Sequence, residues 1–207
     1  MKKILILDFD GTVIDSNYIK QVAIREYIKN KYRLNILEYI SPFEFQKLNR
    51  YQILSIAKKS SISYLERLDI DEEINRKVRH SRIDPYLFNL YKFCSKNNIK
   101  IFLITNTPDD SLNEIVKSMR ISHFFYKVIG KKNNYEKDII FSKVIKEEFV
   151  NANQVLSVGD NINDYFASKK NKIPFHGINN ESLNCQKSKF PISNSLLGVI
   201  KSLRKSN

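Results

Sequence analysis

The chain has 207 residues, of which 42% are hydrophobic and 12% aromatic, enough to bury a sizeable core. No apolar run is long enough to cross a bilayer, and the first residues enter a strand with no signal-peptide layout, so a cytoplasmic protein is expected. Lysine and arginine number 35 against 22 acidic residues, a net charge of +13, which raises nucleic acid as a partner although the positive residues are spread along the whole chain.

The first element is the run Ile4-Leu5-Ile6-Leu7, too short for a helix and bounded by Asp8-Phe9-Asp10-Gly11-Thr12. It reads as a buried parallel strand that delivers acids at its carboxyl end, where open α/β sheets keep their sites. Alternation along extended chain puts Asp8 and Asp10 on one side. Two like charges held that close call for a cation, and their hard oxygens suggest Mg2+.

From about Asp15 to about Ile83 no convincing strand is read, and the pattern is helical. A first helix carries Ile19, Val22, Ile24 and Tyr27 after an Asp15-Ser16 cap, and Ser41-Pro42 opens a short second one. Asn49 caps a third through Ile53, Leu54 and Ile56, and Ile74 to Val78 belong to a fourth. The pattern divides the chain into an α/β unit, residues 1–15 and 83–207, and a helical insertion, residues 16–82.

The α/β unit resumes near Asp84-Pro85 with a helix through Leu87, Leu90 and Phe93. A second apolar run, Ile101-Phe102-Leu103-Ile104, stops at Thr105-Asn106 just before a helix-starting Pro108-Asp109, so the Thr105 hydroxyl and nearby backbone N–H groups can hold a phosphate oxygen. A helix through Ile139, Ile140, Phe141, Val144 and Ile145 then leads into the third run, Val155-Leu156-Ser157-Val158. This run ends in Gly159-Asp160, with Asp164 one helical step later. A last amphipathic helix through Leu196, Leu197, Val199, Ile200 and Leu203 packs on the sheet. Glycine and proline number 5 each, which suits a helix-rich chain with short connections. Cys94 and Cys185 lie far apart and are read as reduced thiols, and the scattered His80, His123 and His176 as structural or surface residues.

Asp8-Phe9-Asp10-Gly11-Thr12, the Ile104-Thr105-Asn106 segment, a lysine before the third strand, and Gly159-Asp160 with Asp164 together resemble the haloacid dehalogenase superfamily, phosphatase type, over residues 2 to about 178. The resemblance implies a Rossmann-like parallel sheet with helices on both faces. The helical insertion resembles the small cap of phosphoglycolate phosphatase-like and β-phosphoglucomutase-like members, which closes over the site.

The resemblance also implies roles. Asp8 would be the nucleophile that forms an aspartyl-phosphate, and Asp10 the acid and then the base. Dehalogenating members lack that second acid. Asp8, the Asp10 backbone carbonyl and Asp160 would hold Mg2+, with Asp164 behind them. Gly11, Thr105 and Asn106 would bind the phosphate. Lys137 would face the transferring group, but Asp138 stands where proline is commonest in the family, and this leaves Lys131 and Lys132 as alternatives. In the insertion, Arg50 falls where related caps place a cation toward the phosphate. The expected activity is hydrolysis of a small phosphorylated metabolite such as a sugar phosphate or phosphoglycolate. A phosphosugar mutase and a polynucleotide-end phosphatase share the same motifs and stay open.

Overall fold

The computed structural model describes residues 1–132, 136–178, 183 and 189–206. Two compact units emerge, Met1–Asp15 with Arg82–Asn207, and Ser16–Ser81. The second boundary falls one residue earlier than the sequence pattern suggests. Arg82 and Ile83 form a strand, β3 (Arg82–Ile83), antiparallel to β2 (Ile14–Asp15), with Asp15 opposite Arg82. Two residues are too few to show any periodicity, so the sequence gives no sign of either strand.

The larger unit is built on a six-stranded parallel sheet. Its strands are β1 (Ile4–Leu7), β4 (Lys100–Pro108), β5 (Lys127–Lys131), β6 (Val155–Gly159), β7 (Phe175–Ile178) and β8 (Ile192–Ser193), ordered β5-β4-β1-β6-β7-β8. All four residues of β1 are buried, as a central parallel strand covered on both faces requires. Ile4, Ile6, Phe102 and Ile104 pack against Phe141 and Val144 of α7 (Lys137–Glu147) and Ala167 of α8 (Ile162–Lys170). The alternating residues Leu5, Leu7 and Leu103 point to the other face, where α5 (Leu87–Lys96) packs on β4 and on α9 (Leu196–Ser206). In α9 the buried Leu196, Val199, Ile200 and Leu203 follow helical spacing along a single stripe. The chain runs β1, β4, β5 to one side and then crosses to β6, β7, β8 on the other, so the carboxyl ends of β1 and β6 meet at the change of direction.

The smaller unit is all helical. It comprises α1 (Asn17–Tyr32), α2 (Pro42–Lys47), α3 (Arg50–Lys58) and α4 (Tyr64–Val78), with α1 packed on α3 and α4. Its interior holds Ala23, Ile24 and Ile28 of α1, Ile53 and Leu54 of α3, and Ile70 and Ile74 of α4. Capping fixes the helix starts: Ser41, Asn49 and Ser63 each form a reciprocal box with the residue three positions on. Because Ser63 caps it, α4 begins ten residues before Ile74, through a stretch whose charges hide the helical period. Ser16 stands at the N-cap of α1 as expected, but without a side-chain capping hydrogen bond. Among the described residues no helix is long and apolar enough to cross a membrane.

Cys94 is buried in α5, and burial pushes its thiol up to about 12, so no thiolate forms near neutrality. Cys185 lies outside the described residues. His80 and His123 are exposed, whereas His176 on β7 is 2% exposed and lies between two hydroxyls. The Ser193 hydroxyl donates to the Ser195 carbonyl, so its oxygen accepts from His176 Nε2 at 2.9 Å, and Nδ1 accepts from the Ser202 hydroxyl at 3.0 Å. A second ring proton would break the Ser202 bond, and burial lowers the imidazole to about 4. The folded state therefore binds fewer protons than the unfolded chain between pH about 6.5 and about 4, and stability falls as pH drops through that window. Thermal melts at pH 7 and pH 5 should show this loss, and His176→Asn should flatten the difference.

Candidate active site

Asp8 follows β1 and Asp160 follows β6, on neighbouring strands in the register Leu7 to Val158. The Asp8 N–H donates to the Val158 carbonyl at 2.9 Å, which extends the ladder by one bond and holds the Asp8 backbone at the strand end. Asp164 arrives from the first turn of α8. There Asn161 caps the helix, and Asp164 Oδ2 accepts from the Asn161 N–H at 3.1 Å, so one oxygen is engaged and the other is turned inward. One carboxylate oxygen from each of Asp8, Asp160 and Asp164 lies within 4.8 Å of the other two, and all three residues are buried. Gly159 makes this approach possible, since a Cβ there would lie 2.4 Å from Asp164 Oδ2.

Lys137, at the start of α7, is 7% exposed and donates to Asp8 Oδ1 and Asp164 Oδ1, each at 2.5 Å. Asp138, the departure from the family pattern, sits in the first turn of α7, where a negative charge is favourable, and pairs with Lys170 of α8. Lys131 is exposed, and Lys132 is 70% exposed and pairs with Asp109 Oδ2 at 3.0 Å. Of the three candidate lysines, Lys137 is the one bonded to Asp8.

Burial pushes the Asp8 carboxyl well above the usual carboxylate range; Lys137 opposes this, while Asp164, Asp160 and Asp10 add to it. For Lys137, burial alone would lower the ammonium, but the Asp164 and Asp8 carboxylates reverse this and raise it. One lysine thus faces a surplus of buried carboxylates. A cluster of buried carboxylate oxygens is a donor set that fits a small hard dication such as Mg2+. Asp164, which the sequence reading set behind the metal ligands, contributes to that oxygen cluster directly.

Asp10 leaves the strand direction in a turn. Gly11 takes φ 73°, and its N–H donates to the Ile14 carbonyl at 2.8 Å. At the end of β4, Thr105 and Thr107 are buried and Asn106 between them is exposed. The Thr107 N–H donates to Thr105 Oγ1 at 3.3 Å, and the Thr107 hydroxyl donates to Asp10 Oδ2 at 2.8 Å. Thr107 escaped the sequence reading, although its spacing of two from Thr105 was the available signal. Beside the site, a cavity of about 330 Å³ is lined by Asn106, Glu136, Lys137, Asn163 and Phe166, among others. In the helical unit, Arg50 Nη1 pairs with Asp71 Oδ1 at 2.8 Å, and the Tyr51 hydroxyl donates to the other oxygen of Asp71.

Comparison with known proteins agrees with this fold. A phosphoglycolate phosphatase of Vibrio cholerae serotype O1 is 24% identical over 189 residues, covering 81% of this chain and 80% of that protein. A crystal structure of a hydrolase of the haloacid dehalogenase family IA, variant 3, from Entamoeba histolytica superposes with a TM-score of 0.79 at 18% identity, covering 99% of this chain and 100% of that one. A β-phosphoglucomutase from Clostridium difficile superposes with a TM-score of 0.70 at 22% identity, covering 100% and 97%. The family model for haloacid dehalogenase-like hydrolases matches residues 5–178, a span that contains Asp8, Asp10, Thr105, Lys137, Asp160 and Asp164, and the chain belongs to that family.

Proposed function

We propose that the protein is a Mg2+-dependent phosphomonoesterase that hydrolyses a small phosphorylated metabolite through an aspartyl-phosphate on Asp8. The observation that carries this reading is the buried Asp8 carboxylate held by Lys137 among Asp160 and Asp164. A carboxylate fixed at a strand end by backbone pairing is poised as a nucleophile, and Lys137 supplies positive charge where the transferring group gains negative charge. Asp8, Asp160 and the Asp10 backbone carbonyl would hold Mg2+, with Asp164 joining or backing them. When bound, the metal neutralises charge between nucleophile and phosphate. Asp8 attacks phosphorus as the bond to the leaving oxygen breaks, and Asp10 gives that oxygen a proton. Asp10 then takes a proton from water, whose oxygen displaces the Asp8 carboxylate. Thr105 and Asn106 bind phosphate oxygens, as does the backbone at Gly11. The helical unit is read as the cap that selects the substrate, with Arg50 as its cation, on family likeness. The Vibrio relative places two-carbon phosphorylated acids first in a substrate screen.

Purified protein should release phosphate from p-nitrophenyl phosphate and from at least one member of a phosphorylated-metabolite panel. Release should stop with EDTA and return with excess Mg2+, and Mg2+ should also raise the melting temperature without substrate, because it relieves the carboxylate repulsion. Absence of Mg2+-dependent release from every compound would overturn the reading.

A further inference from the structure

We propose that Thr107 is a positioning residue for Asp10, setting the carboxyl group where it meets the leaving oxygen; this rests on the phosphomonoesterase reading above. Asp10 lies outside the six-stranded sheet, in an isolated bridge with Ile14, and an acid–base group contributes fully only when held in place. The Thr107 hydroxyl supplies such a tether at 2.8 Å, from a residue 7% exposed and 97 positions away in the chain.

The tether is itself held firmly. The pairing of β4 with β5 changes register between Ile104 and Pro108, and this irregularity covers Thr105, Asn106 and Thr107. Such interruptions are common beside active sites. Below it the backbone is clamped. Gly130 of β5 comes so close that a Cβ would lie 2.8 Å from the Thr107 carbonyl oxygen and 2.4 Å from Asp109 Cα. The Gly130 N–H donates to Asp109 Oδ1 at 2.9 Å, and Lys132 pairs with Asp109 Oδ2. The Thr107 backbone is therefore fixed by protein packing before any substrate arrives, and the hydroxyl passes that rigidity to Asp10. This gives Lys132 a supporting place at the surface of the clamp.

A misplaced acid matters in proportion to how much the leaving group needs its proton. The measurement compares kcat/KM on p-nitrophenyl phosphate, whose leaving group departs readily as an anion, with phenyl phosphate, whose leaving group is more basic. Thr107→Val keeps the shape and removes the hydroxyl. It should cost about 10-fold on phenyl phosphate and less than about 3-fold on p-nitrophenyl phosphate, a fraction of the roughly 100-fold or more that a positioned acid supplies. Thr107→Ser should restore the wild-type ratio, and Thr107→Val placed on Asp10→Asn should change the ratio no further. Equal losses on both esters, no loss on either, or a shifted ratio in a folded Thr107→Ser variant would overturn the proposal. If the Val variant does not fold, Thr107→Ala takes its place and should show the same selective loss on phenyl phosphate, equal or absent losses overturning the proposal. A wild-type protein that cleaves only p-nitrophenyl phosphate would overturn it too, whereas one that cleaves neither ester with Mg2+ would overturn the phosphomonoesterase reading instead.

Discussion

Asp8→Asn is expected to remove turnover, to below ~1% of wild type on every phosphate ester, because an amide cannot form the acyl-phosphate and a lost covalent route costs several powers of ten. The fold should survive. Burial and three neighbouring acids hold the Asp8 carboxyl well above its ordinary range, so at neutral pH its ionised form opposes folding. The amide removes that opposition while filling the same volume, and Asp164 remains to pair with Lys137. The metal-free variant should therefore melt no lower than wild type at pH 7. Its Mg2+-induced rise in melting temperature should be smaller, since one carboxylate of the site is gone. Phosphate release above ~1%, measured with enzyme free of wild-type carry-over, would remove Asp8 from the nucleophile's place.

The contrast between activity and stability at Asp8 reflects how the site is written in the sequence. Each strand that ends in the site is a short apolar run followed by polar residues, and burial of both sheet faces forces that pattern on the chain, so Asp8, Thr105 and Asp160 could be found without coordinates. Asp164 and Lys137 were legible as candidates, but their mutual contact was not. It depends on α7 and α8 packing through Phe141, Val144 and Ala167, and on the room left by Gly159 for the Asp164 carboxylate. The β2–β3 pair was invisible because two residues carry no period. Thr107 was hidden for another reason: in sequence it is one hydroxyl among several, and its partner Asp10 lies 97 positions away. The His176 network is likewise long-range, joining β7 to hydroxyls of Ser193 and Ser202.

Lys137→Ala should cost on the order of 100-fold or more in turnover, the scale on which a preorganised charge stabilises a transition state. Lys132→Ala should change activity little, because its pair with Asp109 is solvent-exposed on the lysine side and screened by water and salt. The two variants should also differ in stability. Without Lys137, the buried Asp8 and Asp164 lose their shared counter-charge, and removing one partner of a buried pair costs roughly 3–5 kcal/mol if the others stay ionised. Asp8, already held above the usual carboxylate range and now without the opposing lysine, escapes the cost by binding a proton in the folded state. Its folded affinity then lies further above the unfolded one, and stability is lost as pH increases. Metal-free Lys137→Ala should consequently melt lower at pH 8 than at pH 6, and Mg2+ should narrow the gap by supplying the missing positive charge. Lys137→Arg should not restore activity, since a planar guanidinium fork does not reproduce the compact ammonium that meets both Oδ1 atoms. A larger loss from Lys132→Ala than from Lys137→Ala would show that the cation facing the phosphate follows Gly130 directly, and that the Lys137 contacts serve only to hold the carboxylates in place.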